Sequence, residues 1–370
     1  MNVYVDGRAL DRPNWRGEQR YVHALLTALA RLDRSHRWHV QLRVPPSDDR
    51  VEALLAERNV VGHVHGGRVW PHVAVPLELR RTRSSVFFRM AGEDAPLRVP
   101  AGRPVVALVH DNGRHLFPVE YGIARPDRVR RDAKRALRRF HLVVTVSHAV
   151  QRELVEVLGV APEKIVVVPN AVGERGGVER RPASLRGDDF VLVVNPGGGN
   201  KNWRLALDGY ARFADSRNGT GAPRLVLAGD LAAEEPRVRA ALRAHGGLES
   251  RVDTLGYVDD DELRWLYRHA RVLVAPSRYE GFGVPLLEAM AAGLPVVASA
   301  IPAHREVADD AALFVSPDEP KALADTLVRV LADDGLRRGL VARGHARLDA
   351  YSWERSAAAL LPRLAEVGAR

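Results

Sequence analysis

The sequence predicts an α/β protein of two domains, each a Rossmann-like, doubly wound parallel sheet. Three observations carry this. Short runs rich in Val and Leu alternate with longer segments of helical period, the pattern of parallel βαβ units. The alternation runs once, pauses, and begins again after residue 189. A length of 370 residues, at about 150 residues per domain, requires two such units.

In the first half the strand runs are Asn2 to Asp6, Trp38 to Val44, Ser84 to Phe88, Val105 to His110, Leu142 to Val146 and Ile165 to Val168. Helical patterns lie between most of them. From Asn170 to Asp189 the chain holds Gly173, Gly176, Gly177, Pro182 and Gly187 without periodicity, as an interdomain linker does. The first domain is therefore placed at 1–172 and the linker at 173–189. Strand runs resume at Phe190 to Val194, Arg224 to Ala228, Val252 to Leu255, Val272 to Ala275, Pro295 to Ala298 and Ala312 to Val315, placing the second domain at 190–352. A last helical pattern, 353–367, follows a helix that already completes the second domain and is expected to pack back on the first. Open parallel sheets bind ligands at the carboxyl ends of their strands, so a ligand is expected in a cleft where the two edges face each other.

Composition narrows the chemistry. The chain has no cysteine, which removes thiol nucleophiles, thiolate zinc sites, Fe–S clusters and disulfides. No apolar run approaches the roughly 20 residues of a membrane span, and Asp6, Arg8, Asp11 and Arg12 interrupt any signal-peptide apolar region, so a cytoplasmic location is expected. The net charge of +9 rests almost wholly on arginine, since Lys134, Lys164, Lys201 and Lys321 are the only lysines. Arginine and alanine crowding of this kind also follows from GC-rich coding sequence, so the charge alone identifies no anionic partner. Nucleic acid is not expected, because no aromatic platform or binding motif accompanies the charge.

The most informative segment is Tyr279-Glu280-Gly281-Phe282-Gly283-Val284-Pro285-Leu286-Leu287-Glu288, between the strand ending near Ala275 and a helix. Gly281 and Gly283 permit positive φ or close backbone approach. Pro285 suits the first turn of a helix whose unpaired N–H groups can receive a diphosphate. Glu280 precedes that helix and Glu288 lies about one turn inside it, so one carboxylate can face a sugar while the other reaches further along a ligand. Read singly, the glycines shape a turn and the glutamates are ordinary; their conjunction carries the signal.

Glu-Gly-Phe-Gly-x-Pro-x-x-Glu resembles the E-x7-E signature of the retaining, sugar-nucleotide-dependent glycosyltransferases of family 4, which have the GT-B fold. The resemblance covers nearly the whole chain. Val5-Asp6-Gly7-Arg8-Ala9-Leu10 with Gly17 and Arg20-Tyr21 looks like the family's first strand, glycine loop and following helix. Val109-His110-Asp111 with Phe117-Pro118 looks like its His-Asp segment, and Val144-Thr145-Val146-Ser147 with Val168-Pro169-Asn170 like the close of its first domain. Lys201-Asn202 is similar to the Lys-Asn phosphate segment, Leu255-Gly256-Tyr257-Val258 to the base-binding turn, and Gly293-Leu294-Pro295-Val296-Val297-Ala298 to the stretch after the motif.

The resemblance implies a hexosyltransferase that moves a hexose, mannose first, from a GDP or UDP sugar to a hydroxyl acceptor with retained configuration. The acceptor classes are a saccharide, a lipid-linked saccharide or a natural product. Glu280 would contact the donor sugar, Glu288 the ribose, and Tyr257 and Val258 the base. Gly17, Asn202, Gly281, Phe282, Gly283 and Val284 would complete donor binding. Lys201 follows Pro196-Gly197-Gly198-Gly199-Asn200 at a strand-to-helix transition, where an ammonium can neutralise a leaving diphosphate. The spacing fits neither a P-loop nor G-x-G-x-x-G. Asn200 and Asn195 stand where members of the family carry arginine, and Trp15-Arg16-Gly17-Glu18-Gln19 keeps one glycine of the usual two or three.

His110, at a strand end, is the candidate to hydrogen-bond the transferred sugar or accept a proton. Asp259-Asp260-Asp261 precedes Leu263, Leu266 and Tyr267 at helical spacing and reads as a helix cap rather than a metal site. No metal and no further cofactor is expected. From Arg125 to Phe140 eight basic residues surround a stripe of Val129, Ala133, Ala136, Leu137 and Phe140, which reads as an amphipathic helix with a basic outer face. That face is either simply solvated or meets an anionic acceptor or the inner membrane surface. A sugar-nucleotide epimerase on the same fold, a dinucleotide-dependent oxidoreductase and a silent nucleotide-binding relative are the alternatives.

Overall fold

A computed structural model describes residues 1–11, 15, 17–65, 75–90, 103–173, 178–217, 221–246 and 248–369. The chain divides into two compact units, one formed by Met1–Leu116, Ala124–Gly173 and Tyr351–Arg370, the other by Phe117–Ile123 and Glu174–Ala350.

The first unit carries β1 (Asn2–Asp6), β2 (Arg37–Leu42), β3 (Val60–Val64), β4 (Val86–Arg89), β5 (Val105–Val109), β6 (Leu142–Thr145) and β7 (Ile165–Val167). They form one parallel sheet in the order β3-β2-β1-β4-β5-β6-β7. Its helices are α1 (Gly17–Leu32), α2 (Asp49–Leu55), α3 (Val75–Arg81), α4 (Gly113–Leu116), α5 (Pro126–Arg139) and α6 (His148–Glu156). Every residue of β4, β5 and β6 is buried, as expected of strands covered by helices on both faces. β3 has no counterpart among the sequence's strand runs. It is an edge strand with Gly62 and His63 at its centre and two residues exposed, so it lacks the continuous apolar run that marks its neighbours.

The second unit carries β8 (Phe190–Val194), β9 (Arg224–Ala228), β10 (Val252–Gly256), β11 (Val272–Ala275), β12 (Val296–Ser299) and β13 (Ala312–Val315), parallel in the order β10-β9-β8-β11-β12-β13. Its helices are α7 (Trp203–Ser216), α8 (Glu235–Ala244), α9 (Asp260–His269), α10 (Val284–Ala291), α11 (Pro302–Ala308), α12 (Pro320–Ala332) and α13 (Asp334–Leu348). The final helix, α14 (Trp353–Gly368), belongs to the first unit, where the Ser356 hydroxyl donates to the Pro169 carbonyl at 2.7 Å and Trp353 packs edge-on against Tyr21.

The strand order sets the position of the site. β8 leads through α7 to β9 on one side, while the adjacent β11 leads through α10 to β12 on the other. The two outgoing connections diverge, opening a crevice at the carboxyl ends of β8 and β11, the place where doubly wound sheets bind ligands.

Candidate functional site

The loops after β8 and β11 meet at this crevice. The Lys201 ammonium, at the entry to α7, donates to Glu280 Oε1 at 2.7 Å, and the Ser277 hydroxyl donates to the same oxygen at 2.8 Å. Burial alone would raise the Glu280 carboxyl. The positive charge of Lys201, the nearby His304 and the two donated hydrogen bonds outweigh it and hold the group below its ordinary value. Glu280 is therefore ionised at neutral pH.

The asparagines in this loop position the pair. Asn200 Nδ2 donates to the Tyr279 carbonyl at 3.0 Å while its own carbonyl accepts from Arg278 N at 2.8 Å, joining the two loops across 79 residues of sequence. Asn202, buried and left-handed at φ 54°, donates to the carbonyls of Pro276 (3.1 Å) and Pro317 (2.9 Å). Asn202 is thus a scaffold for the lysine beside it. Gly197 and Gly199 also have packing reasons. A Cβ on Gly197 would stand 2.0 Å from the Asp230 carbonyl oxygen, and one on Gly199 2.8 Å from that of Glu120. Glu120 lies in the 117–123 segment, which joins this unit and stacks Phe117 on Tyr279 with ring centroids 5.3 Å apart.

α10 begins beside the pair. Gly283 is its N-cap residue at φ 105° and, as a glycine, brings no side chain to cap the first turn of the helix, the place where a helix can receive an anion. A Cβ at Gly283 would sit 3.0 Å from His304 Cδ2 and 3.5 Å from His304 Nε2. Sequence reasoning did not single out His304. It lies on α11, 1% exposed, with Nδ1 3.1 Å from the Ser299 carbonyl. Burial pushes its pKa down, although the Glu280 charge opposes this. Its only sequence signal is a histidine in the first turn after β12.

The other expected donor residues lie around the same strand ends. Gly281 and Phe282 are buried. Glu288, five residues into α10, is 9% exposed and accepts from the Tyr267 hydroxyl at 2.6 Å. Tyr257, after β10, is 66% exposed, and Val258 beside it is partly buried. Asp259 accepts from Asp261 N and Glu262 N, while the Glu262 side chain reaches back to Asp259 N, a complete capping box for α9. Among the described residues no group of three His, Asp or Glu side chains is arranged to hold a metal ion.

In the first unit His110 follows β5 and meets Tyr21 edge-on at 4.9 Å. Its Nε2 is buried without a hydrogen-bond partner among the described residues. Burial lowers its pKa, with Glu18 and Asp111 opposing. Gly17 opens α1 and is exposed, with nothing within 4 Å of the place its Cβ would take. Arg16, its neighbour in the loop, lies outside the described residues. α5 buries Leu137 and partly covers Val129, Ala133 and Ala136, while Arg128, Arg131, Arg135, Arg138 and Arg139 are exposed.

Comparison with known proteins agrees with this geometry. The family model for Glycosyltransferase Family 4 matches residues 15–174, and that for Glycosyl transferases group 1 matches residues 190–333. The O-antigen chain mannosyltransferase B of Escherichia coli is 32% identical over 58% of this chain. The match covers 57% of that relative, so the chain spans little more than half its length. Among solved structures, sucrose-phosphate synthase from Thermosynechococcus elongatus superposes with a TM-score of 0.74 at 20% identity, covering 100% of this chain and 99% of the other. HepE of Anabaena in complex with UDP gives 0.71 at 18% identity, with 99% of each chain covered. Two matched family models and a shared two-sheet fold make the chain a glycosyltransferase family 4-like protein of the GT-B fold.

Proposed function

We propose that the protein transfers a hexose, with mannose the first candidate, from a nucleoside diphosphate sugar to a hydroxyl acceptor with retention of configuration. One observation carries the reading: Lys201 and Glu280 converge at the switch point of the second sheet, beside the uncapped N-terminus of α10. The diphosphate binds against Lys201 and the N–H groups of Gly283 and Val284, which stabilise the charge that develops as the bond from the anomeric carbon to the phosphate oxygen breaks. No metal is required for this step. The acceptor oxygen bonds to the same carbon from the face the leaving group vacates, and its proton is released. Glu280 holds the sugar hydroxyls, Glu288 turns to the ribose, and Tyr257 and Val258 flank the base. In the first unit, His110 is assigned to the sugar or to the departing hydroxyl proton.

The mannosyltransferase match supports mannose as the sugar, for which GDP is the first candidate carrier, while the neighbour solved with UDP keeps a UDP sugar as the competing donor. The acceptor is a saccharide, free or lipid-linked. A lipid-linked acceptor brings the exposed arginines of α5 to the anionic inner membrane surface of a cytoplasmic enzyme. Calorimetric titration with GDP, UDP, dTDP and ADP and their sugar conjugates tests the donor reading. Selective binding of one nucleotide, lost in Lys201→Ala, supports it; binding of none overturns it.

A further inference from the structure

We propose that His304 takes up one proton when the donor diphosphate binds and, as an imidazolium, donates from Nε2 to a phosphate oxygen. The inference rests on the donor site proposed above and adds a cation to it. Nδ1 faces the Ser299 carbonyl at 3.1 Å, and a carbonyl oxygen only accepts, so the Nδ1 proton is fixed there. In the neutral ring Nε2 therefore carries the lone pair. That atom is turned to the first turn of α10, 3.5 Å from where a Gly283 Cβ would stand, and only the absence of that Cβ lets the ring approach so closely.

Charge accounting within these loops favours the proton. Lys201 is already bonded to Glu280, so the empty site is close to neutral. A sugar nucleotide brings two negative charges. The loop after β8 supplies no second cation, since Asn195 and Asn200 are uncharged, and in the loop after β11 Arg278 is paired with Asp318. Every neighbour of His304 weighs on its titration. Burial, Lys201 and the positive end of α10 oppose the proton and outweigh Glu280 and the Ser299 carbonyl, which favour it, so the ring is neutral without ligand. Arg305, next on α11, lies over the Phe314 ring. A diphosphate at the helix end adds negative charge on the side where Nε2 points and reverses this balance. The proton comes from solvent and returns to it when the nucleotide leaves.

Titration calorimetry of GDP-mannose and UDP-glucose in buffers of differing ionisation enthalpy tests this near neutral pH. A sugar nucleotide has no phosphate proton that titrates there, so any proton uptake belongs to the protein. The expected result is an uptake approaching about one proton per donor bound. His304→Asn keeps a donor for the Ser299 carbonyl but cannot protonate; it should abolish the uptake and weaken binding about tenfold. Donor binding without uptake, or uptake that persists in His304→Asn, overturns the role of His304 and leaves the donor site standing. If neither sugar nucleotide binds, the donor-site reading itself falls.

Discussion

The two sheets share one strand order, with β3-β2-β1-β4-β5-β6 matched by β10-β9-β8-β11-β12-β13, yet their switch points are furnished differently. In the first unit β1 ends in Asp6, 1% exposed, and its carboxylate is held by Arg8 two residues on, through Nε at 2.8 Å and Nη2 at 2.6 Å. The neighbouring Gly7 packs so closely that a Cβ would lie 2.8 Å from the Gln41 carbonyl oxygen. That loop neutralises itself locally. In the second unit the cation after β8 reaches a carboxylate in a different loop, and α10 starts without a side-chain cap. Topology supplies a crevice in both halves. Whether it can receive an anion depends on whether the charges there are satisfied within one loop or held between loops.

The largest effect should come from separating the pair between loops. Lys201→Ala is expected to lower transfer by about 10²–10³-fold, the usual cost of removing one group that stabilises developing charge. It also leaves the partly buried Glu280 without its ammonium, so its carboxyl should rise. In the wild type the depressed carboxyl contributes stability that is present above its ordinary value of 4.5 and lost as pH falls through the lower folded value. The gap in melting temperature between wild type and Lys201→Ala should therefore narrow on acidification. A gap that widens would contradict the pairing.

The opposite outcome is expected at the first switch point. Arg8→Met removes the partner of a buried carboxylate and should destabilise the protein by about 2 kcal/mol, with donor affinity unchanged. Loss of donor affinity without loss of stability would mean the two switch points are not distinguished in this way. A smaller effect lies at the helix start. Gly283→Ala places a side chain at φ 105° and 3.0 Å from His304, costing about 1–3 kcal/mol, and should weaken donor binding more than the melting temperature alone suggests. Denaturation and calorimetry on the same sample separate the two.

The same contrast explains what was legible in the sequence. Strands with continuous apolar runs, such as Phe190–Val194 and Val272–Ala275, were readable because both faces are buried and every position is constrained. β3 was not, since an edge strand needs little buried surface and only Val60 and His63 of Val60–Val64 are buried, with an exposed glycine interrupting the apolar run. Lys201 and Glu280 were visible through local motifs and family resemblance. The bond between them was not, because it joins residues 79 apart whose meeting depends on β8 and β11 being neighbours. Ser277, His304 and the bridging bonds of Asn200 escaped for the same reason. The glycine run before Lys201 carried a phosphate reading, whereas Gly197 and Gly199 answer first to the backbones of Asp230 and Glu120. The 117–123 segment gave no signal of joining the second unit, since its contacts with Tyr279 and Gly199 are made far along the chain.

The smallest effect tests the limit of the contrast, at a cluster of charge satisfied mainly within one turn, with the exposed Arg180 as its partner from outside. Asp259 accepts from two backbone N–H groups and is itself reached by Glu262, so its charge serves the N-terminus of α9 and is locally satisfied, like that of Asp6. Asp259→Ala should cost about 1 kcal/mol, the usual loss for an N-cap, and the partner Arg180 on the surface adds little. Asp259→Asn, which still accepts from those N–H groups, should recover most of that loss. Transfer should be unchanged in both variants, and added Mg2+ should not raise the melting temperature of the wild type. A Mg2+-dependent rise lost in both variants would show that three consecutive aspartates answer to a ligand, and that local satisfaction does not by itself silence a charged strand end.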